Sequence, residues 1–510
     1  MKDYGFRILL IDAPETDAGW FNGNVASPAL AYIASYVKNR FDVRILDLHV
    51  EKNPWITLKN TLLEYKPDLI GMTFVHTCHH SEINACLEII RKLHPETPVT
   101  GGGYVFSSLH EKYLKSGLAD IVVIGEGEIT FLEISKKLST IKREKGPAAF
   151  LKQAIARGCL DGIKGLAYEG RDKVIRKTPP RPYINDIDAI PFPSFELFPM
   201  EKYTLPIYGG KETFGAMFSR GCANKCSFCT ESAAWNHTVR RHSPEYAIKY
   251  LKILYEVYGR RTFIFGDTDF LSSREWVKGF IECLRASGMK INFFVQACCK
   301  SVLKCEDLLG ELRELGLFEM MLGAESPFAD VLNKLNKTGQ SENLIQKAMK
   351  AVKSHGVILL VMSIWGTEFD TEETLKKQLD FFGKYADFIS PGVITPYPGT
   401  SLAEEMRSNG VVMNEDLSIY DQMHVILPAG KLNYNETINV YHKNLFLYYN
   451  LNPRYYFRLF SGNKFLRRNQ YYFLAHVWRS FFKELFTLGR GHLAKRLICL
   501  DEYQKVAAGM

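Results

Sequence analysis

Short apolar runs alternate with amphipathic stretches over residues 1–140 and again from residue 214 to about residue 400. Each such pair is typical of a β-strand followed by the helix that returns the chain to the next parallel strand. Runs that are apolar at nearly every position, such as 6–13 and 69–75, indicate strands that helices cover on both faces. The pattern therefore predicts an α/β protein with two parallel sheets.

The length of 510 residues exceeds what a single hydrophobic core normally supports, so several domains are expected. Five prolines between residues 179 and 193 predict an extended connector between the two sheets. The predicted layout is a Rossmann-like domain at 1–140, a linker at 141–210, a partial (β/α)6 barrel at 211–400 and a helical, aromatic and basic region at 401–510.

A cysteine-rich segment directly follows the first predicted barrel strand. It reads SRGCANKCSFC from residue 219 to residue 229 and supplies the thiols of Cys222, Cys226 and Cys229. Three thiolates on a four-iron cluster leave one iron without a protein ligand, and a small molecule can bind there. A structural zinc site would need four ligands, and no second Cys pair lies nearby. The spacing predicts a 4Fe-4S cluster, with buried free thiols as the alternative.

The CxxxCxΦC loop resembles the signature of the radical S-adenosylmethionine (SAM) superfamily. The resemblance implies that the open iron chelates SAM, and that one-electron reduction cleaves SAM to a 5′-deoxyadenosyl radical. It also implies SAM contacts by Asp267 and Asp269 after the second barrel strand, and by Glu325 and Ser326 after the fourth. A helix N-cap is the alternative for Asp269.

Further segments resemble the cobalamin-binding-domain subclass of this superfamily, whose members include class B methyltransferases. They are the glycine-rich loops 101–106 and 125–128, the segment 184–195 and the string PYPGT at 396–400. The resemblance implies that cobalamin lies against Gly102 and Gly103. The axial-ligand string DxHxxG is missing after Asp12, so cobalamin would bind base-off without a protein His. The alternative is a vestigial domain that shields the active site.

Two other groups of ligand-type side chains remain open to more than one interpretation. His76, Cys78, His79 and His80 follow the third strand and could ligate a separate metal or face the domain cleft. Cys298, Cys299 and Cys305 lie on and after the third barrel strand. Such cysteines are most often small core residues, but they could also donate hydrogen or bind a second cluster.

The C-terminal region concentrates the positive charge of the chain. Residues 451–500 hold ten Lys and Arg side chains against one acid, Glu484, and the aromatic residues lie among them at helical spacing. A basic helix with an aromatic face is typical of a membrane-surface element or of a cover over a long apolar substrate. A packed cap with snorkelling arginines and a single-stranded nucleic-acid surface are the alternatives, and no nucleic-acid partner is expected.

The resemblance implies methylation of an unactivated carbon, in which one SAM methylates the cobalamin and a second gives the radical. Radical C–C bond or ring formation on a lipid or isoprenoid without cobalamin is the alternative enzyme, and a cluster-bearing scaffold is the alternative of another class. An electron donor of the flavodoxin or ferredoxin type and a small-molecule or lipid substrate are expected. The N-terminal apolar run is too short for a signal peptide, which predicts a cytoplasmic protein with possible membrane association.

Overall fold

The computed structural model describes residues 3–14, 25–146, 149–411 and 413–487. The chain divides into two compact units: the first comprises the residues up to Tyr203 together with those from Ser480 onward, and the second spans Thr204–Arg479. This division lies inside the segment 141–210 that the sequence assigns to a linker. We propose that the N-terminal domain extends to residue 203.

The first unit is built on one sheet with the strand order β2-β1-β3-β4-β5-β6-β7. The strands are β1 (Asp3–Asp12), β2 (Phe41–Asp47), β3 (Leu69–Thr73), β4 (Val99–Gly102), β5 (Ile121–Val123), β6 (Leu166–Glu169) and β7 (Ile175–Lys177). The helices are α1 (Pro28–Val37), α2 (Pro54–Tyr65), α3 (His80–Leu93), α4 (Tyr104–Ser108), α5 (His110–Lys115), α6 (Glu128–Lys145) and α7 (Ala149–Ala156).

Strands β1 to β5 pair in parallel, as the apolar runs predict. All five residues of β3 are buried, which is typical of a strand with helices on both faces. The first helix begins where Ser27 accepts a hydrogen bond from the backbone N–H of Leu30 and Pro28 occupies the first turn. The carboxyl ends of these strands therefore lie along one edge of the sheet.

Two strands form within the segment that the sequence assigned to a linker, and they belong to the N-terminal sheet. Strand β6 pairs antiparallel with β5, and β7 pairs antiparallel with β6. The prolines that indicated an extended connector follow this pair, and Gly165 donates a hydrogen bond to the carbonyl oxygen of Pro179. The sequence assignment of 141–210 to a linker is therefore corrected for residues 166–177, because edge pairing cannot be read from a local pattern.

The second unit contains a sheet of six parallel strands in the order β8-β11-β12-β13-β14-β15 and the short antiparallel pair β9-β10. The strands are β8 (Thr213–Ala216), β9 (Ser219–Arg220), β10 (Arg240–Arg241), β11 (Thr262–Phe265), β12 (Asn292–Cys298), β13 (Leu317–Glu325), β14 (Ile358–Trp365) and β15 (Phe388–Val393). The intervening helices are α8 (Thr230–Ala234), α9 (Pro244–Glu256), α10 (Arg274–Ser287), α11 (Cys299–Lys304), α12 (Leu309–Glu314), α13 (Ala329–Lys334), α14 (Glu342–Ser354) and α15 (Glu372–Gly383).

This sequential order, in which β8 and β15 form the two edges, agrees with the predicted partial (β/α)6 barrel. Aromatic rings fill the space between the first strands and their helices. Phe265 stacks on Phe293 with ring centroids 5.2 Å apart, and Phe280 meets Phe265 edge to face. The packed rings hold the carboxyl ends of β8, β11 and β12 next to one another.

The described part of the C-terminal region, 401–411 and 413–487, is mainly helical, as predicted, and contains α16 (Ser401–Ser408), α17 (Tyr434–Leu451), α18 (Pro453–Phe457) and α19 (Lys464–Thr487). Tyr441 and Tyr449 on α17 donate hydrogen bonds to the carbonyl oxygens of Pro391 and Ile389 in β15. These contacts hold α17 on the last strand. No helix within the described ranges is long and apolar enough to cross a membrane.

The basic and aromatic side chains of the tail, for which the sequence left a surface and a packed cap open, are divided between packing and exposure. Arg458 is buried and donates to the carbonyl oxygens of Ala386 and Asp387, and Arg454 donates to that of Gly383. Tyr455 and Phe473 are buried as well. Arg458, Tyr455 and Phe473 therefore agree with the packed-cap alternative. A basic and aromatic sequence alone cannot show which of its side chains contact backbone carbonyl oxygens.

Glu319 is a fully buried acid near the amino end of β13. Its carboxylate accepts hydrogen bonds from the Tyr208 hydroxyl at 3.1 Å and from the Asn469 amide at 2.5 Å. Burial raises the pKa of Glu319 from 4.5 to about 8, although both hydrogen bonds lower it. The carboxyl group is therefore mostly protonated at neutral pH.

We expect the stability of the folded chain to fall as Glu319 ionises. Because its pKa is higher in the folded state, its contribution is full below about pH 4.5 and is lost as the pH rises through about 8. Between pH 7 and pH 9 this loss amounts to about 1 kcal/mol. Thermal unfolding midpoints at these two pH values should decline less for Glu319→Gln than for the wild type, and equal declines would contradict the buried-acid interpretation.

Candidate functional site

The three cysteines of the predicted cluster lie on one loop between β9 and α8. Gly221 begins this loop with φ +87, and a Cβ there would lie 2.2 Å from the carbonyl oxygen of Thr238. Only glycine fits this conformation and this close approach. Cys222 and Cys226 are buried, and Cys229 is half-buried directly before α8.

The spacing of the three sulfur atoms bears on the kind of metal that they can bind. Within the described residues, the three thiols are not among the ligand groups whose atoms all lie within 4.8 Å of one another. A tetrahedral zinc ion with Zn–S bonds of about 2.3 Å needs sulfur atoms about 3.8 Å apart. The wider arrangement of these thiols fits a larger, multi-iron cluster with one iron left open.

Backbone hydrogen bonds hold the cysteine loop against Leu335, which directly follows α13, and against Leu402 in α16. Ser227 donates from its backbone N–H to the carbonyl oxygen of Leu335 and accepts from the N–H of Leu402, each at 3.0 Å. Phe228 packs against a buried apolar group that includes both leucines. Burial raises the pKa of the Cys226 thiol to about 12, so this sulfur is expected to stay protonated until a metal displaces the proton.

Asp267 lies after β11 and is directed toward the start of the cysteine loop. It is buried, and its carboxylate accepts from the Ser219 hydroxyl at 2.5 Å and from the backbone N–H of Phe218 at 3.2 Å. These bonds connect the ends of β8 and β11. The predicted contact of Asp267 with SAM stays a prediction, and the carboxylate already holds the strand that leads into the loop.

Asp269 lies two residues further along and joins β11 to β12. Its carboxylate accepts from the Ser301 hydroxyl at 2.7 Å and from the Cys298 thiol at 3.0 Å. Arg241 donates to its carbonyl oxygen at 3.0 Å. Burial raises the pKa of the Asp269 carboxyl group, while these hydrogen bonds and Arg241 lower it. Its predicted SAM contact stays a prediction, and its side chain does not cap a helix in the described structure.

Glu325 is the last residue of β13 and has φ +62. This left-handed backbone conformation is energetically costly for any residue other than glycine. Its carboxylate lies 2.5 Å from the ammonium group of Lys337, and the two side chains are 7% and 12% exposed. Burial lowers the pKa of Lys337, but the interactions with Glu325 and Cys226 raise the pKa by a larger amount. The net pKa of Lys337 is therefore raised, and the lysine stays charged. A Cβ at Gly323 would lie 3.1 Å from the carboxylate, which favours glycine there.

Lys337, which pairs with Glu325, is a residue of the candidate site that the sequence analysis missed. It lies beyond α13 in the polar segment NKLNKTGQ, where neither a period nor a motif distinguishes it. Glu325 and Lys337 are twelve residues apart, and the sequence alone does not show that both side chains are buried and form an ion pair. Ser326 is buried, and its hydroxyl accepts from the N–H of Phe328 at 3.2 Å; its predicted SAM contact stays a prediction.

The three cysteines on and after β12 have separate surroundings. Cys299 is buried and donates to the carbonyl oxygen of Gly323 at 3.8 Å, and Cys305 is buried and donates to that of Leu271 at 3.5 Å. These contacts are typical of small core thiols. Cys298 differs because its thiol contacts Asp269 on the wall of the site, where burial raises its pKa to about 11.

In the first unit, three consecutive glycines with different surroundings lie at the carboxyl end of β4 and directly after it. A Cβ at Gly101 would lie 2.5 Å from the Phe106 ring, and one at Gly103, which has φ +88, would lie 2.8 Å from the carbonyl oxygen of Phe74. At Gly102 the nearest atom would be the Met72 carbonyl oxygen at 4.0 Å. Gly103 is therefore required by the backbone, whereas Gly102 leaves open space at the carboxyl edge of the sheet.

The histidines after β3 do not form a compact metal group in the described structure. The Nδ1 atom of His80 lies 2.7 Å from the hydroxyl oxygen of Tyr113, and its ring stacks on Phe74. His76 and His79 meet edge to face. In the described part of the chain, the ligand atoms that lie within 4.8 Å of one another belong to Asp12, Asp47 and His49 at the ends of β1 and β2.

Comparison with known protein families agrees with this geometry. The B12 binding domain matches residues 19–135, and the Radical SAM superfamily matches residues 217–382. The chain carries a B12-binding domain and a radical SAM domain. It is a radical SAM enzyme whose cofactors are a 4Fe-4S cluster, SAM and cobalamin, and it needs a reductant and a small-molecule substrate. The predicted fold class, enzyme class and cofactors are confirmed.

Relatives and solved structures cover most of this radical SAM chain. An uncharacterized methyltransferase of Pyrococcus horikoshii is 29% identical over 455 residues, 88% of this chain and 93% of that protein. The anaerobic magnesium-protoporphyrin IX monomethyl ester cyclase of Rubrivivax gelatinosus is 26% identical over 75% of this chain and 67% of that protein. The fold resembles that of the cobalamin-dependent SAM radical enzyme OxsB, with a TM-score of 0.69 at 15% identity over 99% of this chain and 79% of OxsB.

Proposed function

We propose that the enzyme methylates an unactivated carbon of a small-molecule or lipid substrate. The observation that carries this proposal is the presence of a B12-binding domain and a radical SAM domain in one chain. When bound, the cluster and SAM supply a radical that abstracts hydrogen from an inert C–H bond, and cobalamin supplies a methyl group. The Pyrococcus horikoshii relative, whose name is a methyltransferase, supports the same reaction class.

Different residues of the second unit would bind the cluster, bind SAM and exclude water from both. Cys222, Cys226 and Cys229 bind the cluster and leave one iron open to SAM. Glu325 and Ser326 lie at the end of β13 and bind SAM, while Lys337 holds the Glu325 carboxylate in place. Their burial excludes water, which strengthens these polar interactions.

Asp267 and Asp269 are assigned to the neighbouring strand ends. Asp267 acts as a positioning residue, because its carboxylate holds Ser219 and Phe218 at the entrance of the cysteine loop. Asp269, together with Cys298 and Ser301, forms a polar wall beside the loop. Electrons would come from a donor of the flavodoxin or ferredoxin type.

The runner-up function is radical ring or C–C bond formation without methyl transfer. The Rubrivivax gelatinosus relative favours it, since that protein is named a cyclase. A cluster-bearing scaffold without SAM turnover is the candidate of another class. The three functions differ in whether 5′-deoxyadenosine forms and whether a methyl group reaches the product.

The test uses the reduced, anaerobic holoenzyme with methyl-labelled SAM and a metabolite and lipid extract of a strain that lacks the gene. Methylation predicts 5′-deoxyadenosine, S-adenosylhomocysteine and an extract component that carries the labelled methyl group. Deoxyadenosine without a labelled product would favour the runner-up. Absence of deoxyadenosine would favour the scaffold.

A variant of the cobalamin loop separates the first two outcomes. Gly102→Leu should lower the affinity for hydroxocobalamin at least tenfold, because a side chain would enter the open space beside β4. Labelled product should be lost while 5′-deoxyadenosine still forms. Gly162→Leu is the matched control, because a Cβ there meets open space and lies away from β4. Unchanged cobalamin binding by Gly102→Leu, measured from the visible spectrum, would contradict this site.

A further inference from the structure

A cavity of about 800 Å³ opens in the second unit at the end of the sheet opposite the cysteine loop. Thr262 and Asn292, the first residues of β11 and β12, lie on one side of it, and α19 forms the other. The cluster loop and the residues assigned to SAM follow the carboxyl ends of the strands. The cavity is therefore separate from the proposed active site.

Three cations on α19 line this cavity, namely Lys464, Arg467 and Arg468, and their side chains are exposed. Within the described ranges none of the three forms an ion pair, and Arg467 donates one hydrogen bond, to the carbonyl oxygen of Ser461. Glu212 is the acid among the lining residues. The cavity therefore carries a net positive charge with free guanidinium N–H groups, which suits a phosphate.

The floor behind the cavity adds little negative charge. Tyr208 lines the cavity and donates its hydroxyl to Glu319, whose raised pKa of about 8 leaves the carboxyl group mostly protonated at neutral pH. The ring of Phe465, another lining residue, stacks on Phe318 with centroids 4.1 Å apart. The beginning of α19 is thus fixed to the sheet, and its cations are held at the cavity mouth.

Large aromatic side chains lie exposed on the segment directly before α19. Phe457 is 73% exposed and Phe460 is 84% exposed, and Leu459 between them lines the cavity. The same segment is fixed by buried Tyr455 and by Arg458, which donates to the carbonyl oxygen of Ala386 at 3.2 Å. Exposed phenylalanines on an anchored segment, beside unpaired cations, are typical of an interfacial membrane contact.

We propose that this surface binds an anionic phospholipid bilayer, with a headgroup phosphate held by Lys464, Arg467 and Arg468 and with Phe457 and Phe460 inserted at the acyl boundary. The surface places the chain on the membrane without a spanning helix. It is independent of the reaction that the active site performs. The occupant is a lipid rather than free phosphate, because free phosphate does not account for the two exposed rings.

Vesicle co-sedimentation of the full chain tests the proposal. We expect retention on phosphatidylcholine vesicles that contain phosphatidylglycerol and little retention on pure phosphatidylcholine. Raising the salt concentration should weaken binding, because the Debye length falls to about 8 Å at physiological ionic strength. Lys464→Gln, Arg467→Gln and Arg468→Gln together should reduce affinity about a hundredfold, at roughly fivefold for each cation removed.

Two further variants keep the test specific. Phe457→Ser with Phe460→Ser should reduce retention on anionic vesicles while leaving the charge unchanged. Lys278→Gln, Lys304→Gln and Lys347→Gln together remove the same charge from exposed positions outside the cavity and should bind as the wild type does. Equal effects of the two triple variants, or equal retention on both vesicle types at low salt, would overturn the proposal. Binding of a single-stranded oligonucleotide without vesicle binding would overturn it as well.

Discussion

Simultaneous replacement of Cys222, Cys226 and Cys229 by Ala should reduce the iron of the anaerobically prepared enzyme from about four atoms per chain to nearly none. The three thiols that we assign as cluster ligands lie on one loop between β9 and α8. Without them no iron is held where SAM could bind. The formation of 5′-deoxyadenosine on reduction should fall to background, and iron, sulfide and nucleoside analyses measure both effects.

The matched control removes two cysteines that the structure places in the core. Cys299→Ala with Cys305→Ala should retain the four irons, since each of these buried thiols donates to a backbone carbonyl oxygen. A full cluster in the triple variant would contradict the assignment of the loop. More than four irons in the wild type, lost from the control variant, would instead place a second cluster on these core cysteines.

The parallel sheets and the cysteine loop were predictable because both depend on neighbours along the chain. Apolar runs such as that of β3 reflect burial on both faces of a strand, and the spacing of the three cysteines reflects one loop. The strand ends that carry Asp267, Asp269 and Glu325 followed from the same rhythm. What these side chains contact at those ends did not follow.

The contacts at the strand ends depend on residues distant in sequence. The Ser219 hydroxyl donates a hydrogen bond to the Asp267 carboxylate, 48 residues away in sequence. The Cys298 thiol donates to the Asp269 carboxylate, 29 residues away in sequence. Lys337 was missed for the same reason, because no pattern marks a lysine as buried. Burial depends on how the whole chain packs. The burial of a charged side chain becomes evident only when its partner in the folded structure is known.

The arginines of the C-terminal tail also could not be assigned from sequence, because the sequence does not show which of them are buried and which are exposed. The sequence left a membrane surface, a substrate cover and a packed cap open for the whole tail, but Arg458 is held by backbone carbonyl oxygens while Arg467 and Arg468 line a cavity. Side chains of equal charge, separated by fewer than a dozen residues, therefore differ in role. Helical spacing could not distinguish them, because the segment between α18 and α19 turns the chain at residues 458–463.

Disruption of the Glu325–Lys337 pair should have the second large effect on the enzyme. Lys337→Met leaves a buried carboxylate without its partner, a change that typically costs about 3–5 kcal/mol. The strained backbone of Glu325, with φ +62, loses the contact that supports it. We expect the cleavage of SAM to fall roughly a hundredfold or more, with the KM for SAM raised and the cluster iron retained.

Lys334 on the preceding helix supplies the control for that prediction. Its ammonium group lies 2.9 Å from Glu368 and 2.7 Å from Glu405, which are 50% and 45% exposed, and such surface pairs contribute about 0–1 kcal/mol. Lys334→Met should therefore leave SAM cleavage within a few fold of the wild type.

The double variant Glu325→Gln/Lys337→Met distinguishes a structural role from a binding role. It removes both buried charges, so thermal stability should recover relative to Lys337→Met. If Glu325 binds SAM, the raised KM should persist in the double variant despite the recovered stability, because the carboxylate is absent. A KM that returns to the wild-type value together with the stability would instead show that the pair only supports the end of β13.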